Sequence, residues 1–482
     1  MKKRTKILAT IGPASDSQEM IESLMRAGVN VFRLNFSHGT HEYHYEVLQR
    51  IREAEKNTGL FVGVLQDISG PKIRVGHLEE PFELRVDDIV EFAKEEITGS
   101  KVTKNSYCTC INQPSILEQL KVGELIYLYD GMIRTEVVEV LSASVKVKVC
   151  NSGVLTSRKG VNFPNTHLGI DVLTPKDRVD MLWGIKNGVD FMAISFVQDA
   201  QDMINARKII TDNNGRVQLF AKIEKFDAVE NIDAILEASD GLMVARGDLG
   251  IEVPFHEVPA LQKMLISKAN EASKPVITAT QMLLSMTTHD NATRAEISDI
   301  ANAVLDGTDA VMLSEESAVG HNPVLAVETM METIIGAEKI YPYNKLSVFN
   351  ITDATDSINE SAVKLCEDTD AWGLIGLTAS GSSVRKLSRY RPRRDIYAVV
   401  HDEKVARFLT ICWGVVPAFL VKENSLGQMM SEVMNQGIER NVLKMDKSYI
   451  LTAGDPVGVA GSTNMIRILR EHEMKFFASL KN

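Results

Sequence analysis

Short apolar, β-rich runs recur along the first two thirds of the chain, at residues 5–11, 30–36, 61–68, 189–197, 217–225, 241–250, 275–281 and 309–315. Near-continuous apolar runs of this length are what strands covered on both faces look like. Apolar residues at three- and four-residue spacing predict helices over 16–28, 200–212, 227–238, 259–272, 293–305 and 323–337. Eight strands in such alternation predict a closed parallel (β/α)8 barrel, whose chemistry gathers at the carboxyl ends of its strands. Polar side chains collect at those ends: Arg33, Asn35 and Ser37; Asp67; Ser195; Lys222 and Glu224; Arg246 and Asp248; Thr280; Ser314 and Glu316.

One barrel connection is far too long. The third strand ends near Ser69, but its helix, over 177–186, comes about a hundred residues later. The sequence between changes to a two-residue period at 126–129, 135–140 and 144–149, with turn signals at Asp130-Gly131 and Asn151-Ser152-Gly153. This predicts a small all-β domain inserted at the rim, either decoration or a lid that excludes water. After Tyr341-Pro342-Tyr343, strands over 371–377, 395–400, 415–421 and 448–452 alternate with helices and predict an open α/β sheet. The expected division is barrel at 1–70 and 166–344, inserted β-rich domain at 71–165, and C-terminal α/β domain at 345–482. The first strand of that last unit runs through TASGSS, from Thr378 to Ser383, into a helix carrying Arg385, Lys386 and Arg389. Such a loop makes either an anion cradle or a plain Ser/Thr cap. A second small-residue loop, 454–463, could face it, and no Walker phosphate loop is present.

Composition narrows the function. A length of 482 residues allows about three domains. The net charge of −11 argues against a nucleic-acid or anionic-membrane partner, so phosphate-binding cations should be local. No apolar run reaches membrane-spanning length, and the one after Met1-Lys2-Lys3-Arg4 is too short for a signal peptide. Five cysteines give no disulfide framework, and Cys108 and Cys110 would point to opposite faces of a strand. A reduced, cytoplasmic compartment is expected. His38, His41 and His44 read as a solvated helix face, the methionines as core filler, and the basic run 389–394 as a partner for a phosphate ligand or for the protein's own carboxylates.

The central stretches VQLFAKIEK and GLMVARGDLG carry the chemistry. Two carboxylates can hold a hard divalent cation through oxygen, and a lysine beside them can neutralise a phosphoryl group. Metal-assisted phosphoryl or enolate chemistry follows, with ordinary surface turns as the alternative. The chain resembles the pyruvate kinases through TKILATIGPAS, RLNFSHG, GPKIR, KGVNFP, AKIEK, MVARGDLG, ATQML, TRAEISDIANAVLDGTDAVMLS and STNMIR, in that order from Thr5 onward. The resemblance implies a homotetrameric cytoplasmic kinase with a barrel, a mobile β-rich lid and a regulatory C-terminal domain. Its reaction would be phosphoryl transfer from phosphoenolpyruvate to ADP, giving pyruvate and ATP as the last step of glycolysis. The helical segment that precedes the barrel in animal members is missing, which points to a bacterial source.

The same resemblance implies roles. Arg33 and Lys222 would neutralise the transferred phosphoryl group, and Glu224 and Asp248 would hold Mg2+ or Mn2+. The amides of Gly247 and Asp248 would bind the substrate carboxylate, and Arg74 and Lys159 would grip the nucleotide phosphates. Thr280, with Ser314, would serve protonation of the enolate. The family's K+ site would fall on Asn35, Ser37, Asp67 and Ile68. Here Lys72 stands where many members have Glu, and Ile68 where they have Thr, so K+ is expected not to be required. Glu315 replaces a usual glycine. Thr378, Ser380, Gly381, Ser382 and Ser383 would bind a phosphorylated effector. Loop 454–463 lacks the Trp and Arg of bisphosphate-activated members, which favours a monophosphate. A phosphoenolpyruvate mutase or aldolase is one alternative, against which Arg74 and Lys159 argue. A non-catalytic sugar-phosphate sensor is the other, against which Lys222, Glu224, Asp248 and Thr280 argue.

Overall fold

The computed structural model describes residues 3–164, 166–422, 425–455 and 463–480. Three strands open the chain, β1 (Lys6–Thr10), β2 (Val31–Asn35) and β3 (Gly63–Asp67). An insertion carries β4 (Phe82–Leu84) through β12 (Val161–Asn162). Five more strands follow: β13 (Phe191–Ile194), β14 (Gln218–Ile223), β15 (Gly241–Ala245), β16 (Val276–Ala279) and β17 (Ala310–Leu313). Among the described residues the first three and last five close into a barrel in the order β1-β17-β16-β15-β14-β13-β3-β2, every pair parallel.

Alternate residues of each strand face opposite sides, and the two sides pack differently. Ile7, Phe32, Val64, Met192, Leu219, Leu242 and Val311 join the core beneath the helices. Leu8, Val31, Leu65, Phe191, Phe220, Met243 and Met312 fill the barrel interior. Arg33, Asp67, Ser195, Lys222 and Ser314 share the parity of this inward set and lie at its carboxyl end. The fold thereby aims them into the mouth.

The barrel helices are α1 (Gln18–Ala27), α2 (His41–Thr58), α3 (Pro175–Asn187), α4 (Ala200–Asp212), α5 (Phe226–Glu230), α6 (Ile232–Ala238), α7 (Arg246–Glu252), α8 (Val258–Glu271), α9 (Arg294–Asp306), α10 (Glu315–Ala318) and α11 (Pro323–Glu338). Local signals set several boundaries. Thr293 caps α9 in a reciprocal box with Glu296, and Gly307 ends it at φ 99°, a conformation L side chains avoid. The single helix expected over 227–238 is broken at Asn231 into α5 and α6. The histidines from His38 to His44 read as a helix face in the sequence, but no range is named there for α2, although Val47, Leu48, Ile51 and Ala54 bury one face at helical spacing.

The insertion also holds β5 (Ile89–Ala93), β6 (Ser100–Thr103), β7 (Ser106–Cys110), β8 (Leu125–Leu128), β9 (Ile133–Val140), β10 (Ser144–Val149) and β11 (Gly153–Leu155). Of its strands, β12-β8-β9-β10-β5-β7-β6 form one sheet and β11 pairs with β4. Val145, Val147 and Val149 of β10 (Ser144–Val149) are buried, while Lys146 and Lys148 between them are only partly so. The C-terminal unit adds helices α12 (Ala354–Asp368), α13 (Ser382–Arg389), α14 (Glu403–Leu409), α15 (Leu426–Glu439) and α16 (Glu471–Ser479). Its strands β18 (Gly373–Leu377), β19 (Asp395–Val400), β20 (Val415–Leu420), β21 (Tyr449–Gly454) and β22 (Thr463–Leu469) are ordered β20-β19-β18-β21-β22. The last strand is antiparallel and was not anticipated, because this edge strand has only weak apolar alternation. Its core is continuous with the barrel interior through Phe191, Leu387 and Leu409. The fully buried Arg391 ties the two units, donating to Asp309 Oδ1 at 3.0 Å and to the Gly307 carbonyl at 2.7 Å. Among the described residues no helix is long and apolar enough to cross a membrane.

Candidate active site

The carboxyl ends of β2, β3, β13 and β14 converge on one ammonium. Lys222 Nζ lies 2.8 Å from Glu224 Oε1 and 3.2 Å from Asp67 Oδ1, and donates to Ser195 Oγ at 2.7 Å. The Ser195 hydroxyl in turn donates to the Ile68 carbonyl at 2.6 Å. Arg33 Nε donates to Asp67 Oδ2 at 2.6 Å and its terminal nitrogen to Thr10 Oγ1 at 3.0 Å. Burial opposes the charge on Lys222, but Asp67, Glu224 and Asp248 outweigh it and hold its pKa above the ordinary lysine value. Burial likewise opposes ionisation of Asp67, and Lys222 with Arg33 overcomes it, so this carboxyl stays below its usual range. Two fixed cations are thus aimed at the mouth, with Ser195 and Thr10 as partners that the resemblance had not assigned.

Asp248 lies in the first turn of α7, which starts as soon as β15 ends. Burial, and then repulsion from Glu224, push its carboxyl up to about 7. A buried carboxyl crowded by a second carboxylate is what a hard divalent cation relieves, and oxygen-only donors suit Mg2+ or Mn2+. The Glu224–Asp248 pair therefore fits that ion. Glu224 is held from behind by the Phe196 amide, which donates to Oε2 at 2.7 Å. Among the described residues no group of three or more His, Cys, Asp or Glu side chains is placed to hold a metal.

Arg246, expected at the mouth from its strand-end position, points elsewhere. It pairs with Asp299 at 2.6 Å and donates to the Thr280 carbonyl at 2.8 Å. That contact braces the turn in which Thr280 and Gln281 both have positive φ, 73° and 55°. The Thr280 hydroxyl accepts from the Gly247 amide at 2.8 Å and donates to the Ala279 carbonyl at 2.7 Å. Ser314 is positioned through its own amide, which donates to the buried Glu316 at 2.6 Å. Glu315 is helical and exposed, a setting that does not require the glycine it replaces.

The expected K+ donors are turned to protein partners. Asn35 Oδ1 accepts from the Ser37 amide at 3.1 Å, Ser37 Oγ bonds Ser69 Oγ at 3.3 Å, and Ile68 is apolar and buried. Burial, with repulsion from Arg74 and Lys222, lowers the Lys72 pKa, while Asp248 and Asp67 draw on its charge.

Between the mouth and the insertion runs a cleft of about 460 Å³, lined by Lys72, Arg74, Arg158, Lys159, Lys225 and Asp248 among others. Arg74 donates to the Arg158 carbonyl at 3.0 Å, and Lys159 Nζ sits 4.2 Å over the Tyr129 ring. Sequence reasoning missed the buried Lys225–Glu252 pair on this wall, 3.0 Å apart. The signal was present in AKIEK, where Lys225 directly follows Glu224.

Of the two readings of this loop, the plain Ser/Thr cap is not what the structure has: Gly381 occupies the N-cap of α13 at φ 88° and offers no side chain. Thr378 Oγ1 accepts from the Gly381 amide at 2.9 Å, the Ser382 amide reaches Ser380 Oγ at 3.5 Å, and Ser383 Oγ donates to the Leu377 carbonyl at 3.3 Å. The cations on α13 serve the structure: Lys386 pairs with Asp353, and the buried Arg389 with Asp356 at 2.8 Å. Residues 456–462, most of the second loop, lie outside the described residues. The basic run 389–394 finds the protein's own carboxylates, Arg391 on Asp309 and Arg394 on Asp370. His38 is exposed, as the solvated-face reading has it, but His41 and His44 correct that reading. His44 is buried, stacked 4.2 Å from Phe36, and His41 pairs with Asp180 at 2.7 Å.

Comparison with known proteins gives concordant matches. The family description "Pyruvate kinase, barrel domain" matches residues 2–327, and "Pyruvate kinase, alpha/beta domain" matches residues 356–469. A pyruvate kinase of Geobacillus stearothermophilus is 42% identical over 476 residues, covering 97% of this chain and 80% of the relative. One from Staphylococcus aureus (strain MRSA252) is 41% identical over 473 residues, with the same coverage. The crystal structure of a pyruvate kinase from Cryptosporidium parvum superposes with a TM-score of 0.91 at 35% identity, covering 97% of this chain and 96% of that one.

Proposed function

The chain belongs to the pyruvate kinase family, and from that premise we propose that its barrel mouth carries out metal-dependent phosphoryl transfer from phosphoenolpyruvate to ADP, giving pyruvate and ATP. The observation that carries this reading is Lys222, an ammonium held by Asp67, Glu224 and Ser195 on the inward face of the barrel.

In this reading phosphoenolpyruvate enters with its phosphoryl group against Arg33 and Lys222. Both are fixed before the substrate arrives, so little reorganisation is needed at the transition state. When bound, Mg2+ or Mn2+ held by Glu224 and Asp248 supplies positive charge to the phosphoryl and enolate oxygens. The substrate carboxylate takes the amides at the start of α7, so the Gly247 N–H changes partner from the Thr280 hydroxyl. Arg74 and Lys159 place the ADP β-phosphate for in-line attack. The bond from phosphorus to the enol oxygen breaks as the new phosphorus–oxygen bond forms, which makes catalysis chiefly positioning and charge. The released enolate takes a proton at carbon, with Thr280 and Ser314 serving that step.

Residues 71–165 act as the lid, and residues 345–482 as a regulatory unit that binds a monophosphate at Thr378, Ser380, Gly381, Ser382 and Ser383. Lys72 replaces K+, and the protein works in the cytoplasm as a homotetramer at the last step of glycolysis. A coupled assay of pyruvate formation tests the central proposal. ADP-dependent pyruvate release supports it. Turnover of phosphoenolpyruvate without ADP would indicate a mutase or aldolase, and phosphate binding without turnover a sensor.

A further inference from the structure

A second cleft, of about 1220 Å³, lies at the amino ends of β3, β13 and β14, where the barrel meets the C-terminal unit. Its floor is apolar, formed by Phe61, Ile185 and Val217 of the barrel and Val416, Pro417 and Val442 of the C-terminal unit. Its rim is basic, with Arg52, Lys56, Arg216, Lys404, Arg407 and Arg440 against Glu55 and Glu403. The reaction proposed above uses none of these residues.

The rim cations fall into two groups. The inner ones are locked into the protein. Buried Asp190 takes Arg52 at 2.6 Å and Lys404 at 2.9 Å, and Glu55 takes Arg407 at 3.0 Å. The outer ones are loosely held. Arg216 pairs at 2.6 Å with Asp402, both well exposed, and Lys56 with exposed Glu53. Arg440 has no carboxylate partner among the described residues and reaches only the Ala418 carbonyl at 3.3 Å. Exposed pairs contribute little and exchange readily, whereas guanidinium–phosphate hydrogen bonds are charge-assisted and bidentate. Basic rim and apolar floor together are complementary to one kind of molecule.

We infer that this cleft binds a small organic phosphate with an apolar or planar body, the body on the Phe61–Val442 floor and the phosphate on Arg216 and Arg440. The site is separate from the loop at 378–383, although one helix touches both. Lys404 and Arg407 of α14 line the cleft, while a Cβ placed on Gly381 would lie 3.3 Å from Leu409 and 3.8 Å from Val405 of that helix. The Arg407 carbonyl also lies against Gly63, at the start of the strand that ends in Asp67. An occupant therefore bears on a helix shared with the effector loop and on a strand leading to the mouth.

The test is a titration of the full chain, methyl-labelled at Ile and Val, with phenyl phosphate, inorganic phosphate and phenol. Phenyl phosphate should shift Ile185, Val217 and Val442 saturably and bind more tightly than either fragment. Arg216→Ala with Arg440→Ala should weaken that binding about tenfold or more, since hydrogen bonds to charged groups are worth that much. Thermal unfolding checks that the double variant is folded. A Ser382→Asp, Ser383→Asp protein should retain the shifts. Absence of saturable shifts at these three methyls, equal affinity for inorganic phosphate, or unchanged binding in the arginine variant would overturn the inference. So would loss of binding in the serine variant, which would place the ligand in the loop. The titration reads binding directly, so its failure leaves the coupled assay standing, and failure of that assay leaves the titration standing.

Discussion

A single buried ammonium concentrates the chemistry of the mouth. Lys222 contacts three polar side chains and has its charge fixed by carboxylates on two strands. Lys222→Met should lower kcat by about 10²–10³-fold or more, the usual cost of losing a preorganised charge. Mn2+ binding, followed by its paramagnetic resonance, should persist because Glu224 and Asp248 remain. Near-normal turnover would remove Lys222 from its assigned role. Lys72 tests a second charge. It lies close enough to Asp67 and Asp248 for both to act on its ammonium, and neighbouring Ile68 offers no hydroxyl. Activity in a tetraalkylammonium buffer should therefore match that with added K+. Lys72→Glu should depress activity without K+ and create a partial K+ response in steady-state assays. Many-fold activation of the unaltered enzyme by K+ would defeat the argument.

At the scale of elements, the turn after β16 is held by a residue that does not face the mouth. Arg246 bridges Asp299 and the Thr280 carbonyl, while Thr280 keeps a positive φ next to the first amides of α7. Arg246→Leu removes that brace and should lower kcat/KM about 10–100-fold, in line with other residues that only orient a site. An unchanged kcat/KM would show that the turn holds itself. The β18–α13 connection gives a second test. Gly381 at the N-cap offers α13 no side chain, the Ser382 amide is held only at 3.5 Å by Ser380 Oγ, and an anion could take that amide in its place. Coupling of about 1–3 kcal/mol would appear as a 5–150-fold change in apparent substrate affinity on adding a monophosphate effector. Ser382→Asp with Ser383→Asp should erase that response by repulsion. Glucose 6-phosphate, ribose 5-phosphate and AMP at subsaturating substrate make the screen, and activation by a bisphosphate alone would refute the preference.

Across the whole molecule, barrel and C-terminal unit are joined by buried charge as well as by a continuous apolar core. Asp190 accepts from Arg52 and Lys404, which come from different units, and from the Val64 amide. Burial disfavours its carboxylate, but Arg52 and Lys404 outweigh burial and hold its pKa below the usual range. An aspartate freed by unfolding titrates near about 3.9, so as pH falls the unfolded chain takes up this proton first. The stabilisation is therefore full above about pH 4 and is lost as pH drops through the lower native value. Asp190→Asn leaves Lys404 without its carboxylate and Arg52 with Glu55, and should cost about 3–5 kcal/mol at pH 7. Urea unfolding of both proteins at pH 7 and below pH 4 checks this. The difference should shrink in acid, and a constant difference would show that the ion pairs are not its source.

Much of this architecture was legible because its signals are local. Apolar runs, helical spacing and turn residues announced the eight strands, most helices and the β-rich insertion within a few residues of each element. Lys222 and Glu224, two positions apart on one strand, had to share a face, so their convergence also followed from the period of a strand. The partners of those residues were not legible. Nothing near Arg246 in the sequence says that it turns to Asp299, and nothing near Lys222 names Asp67 or Ser195. His44 looked solvated by its neighbours, yet it stacks on Phe36 from a different element. β22 was missed because an edge strand buries too little to show a period. Local periodicity fixes which face a side chain takes, since it depends only on backbone geometry. Which distant charge meets that face depends on how the elements close around it, and that was decided by the tertiary structure.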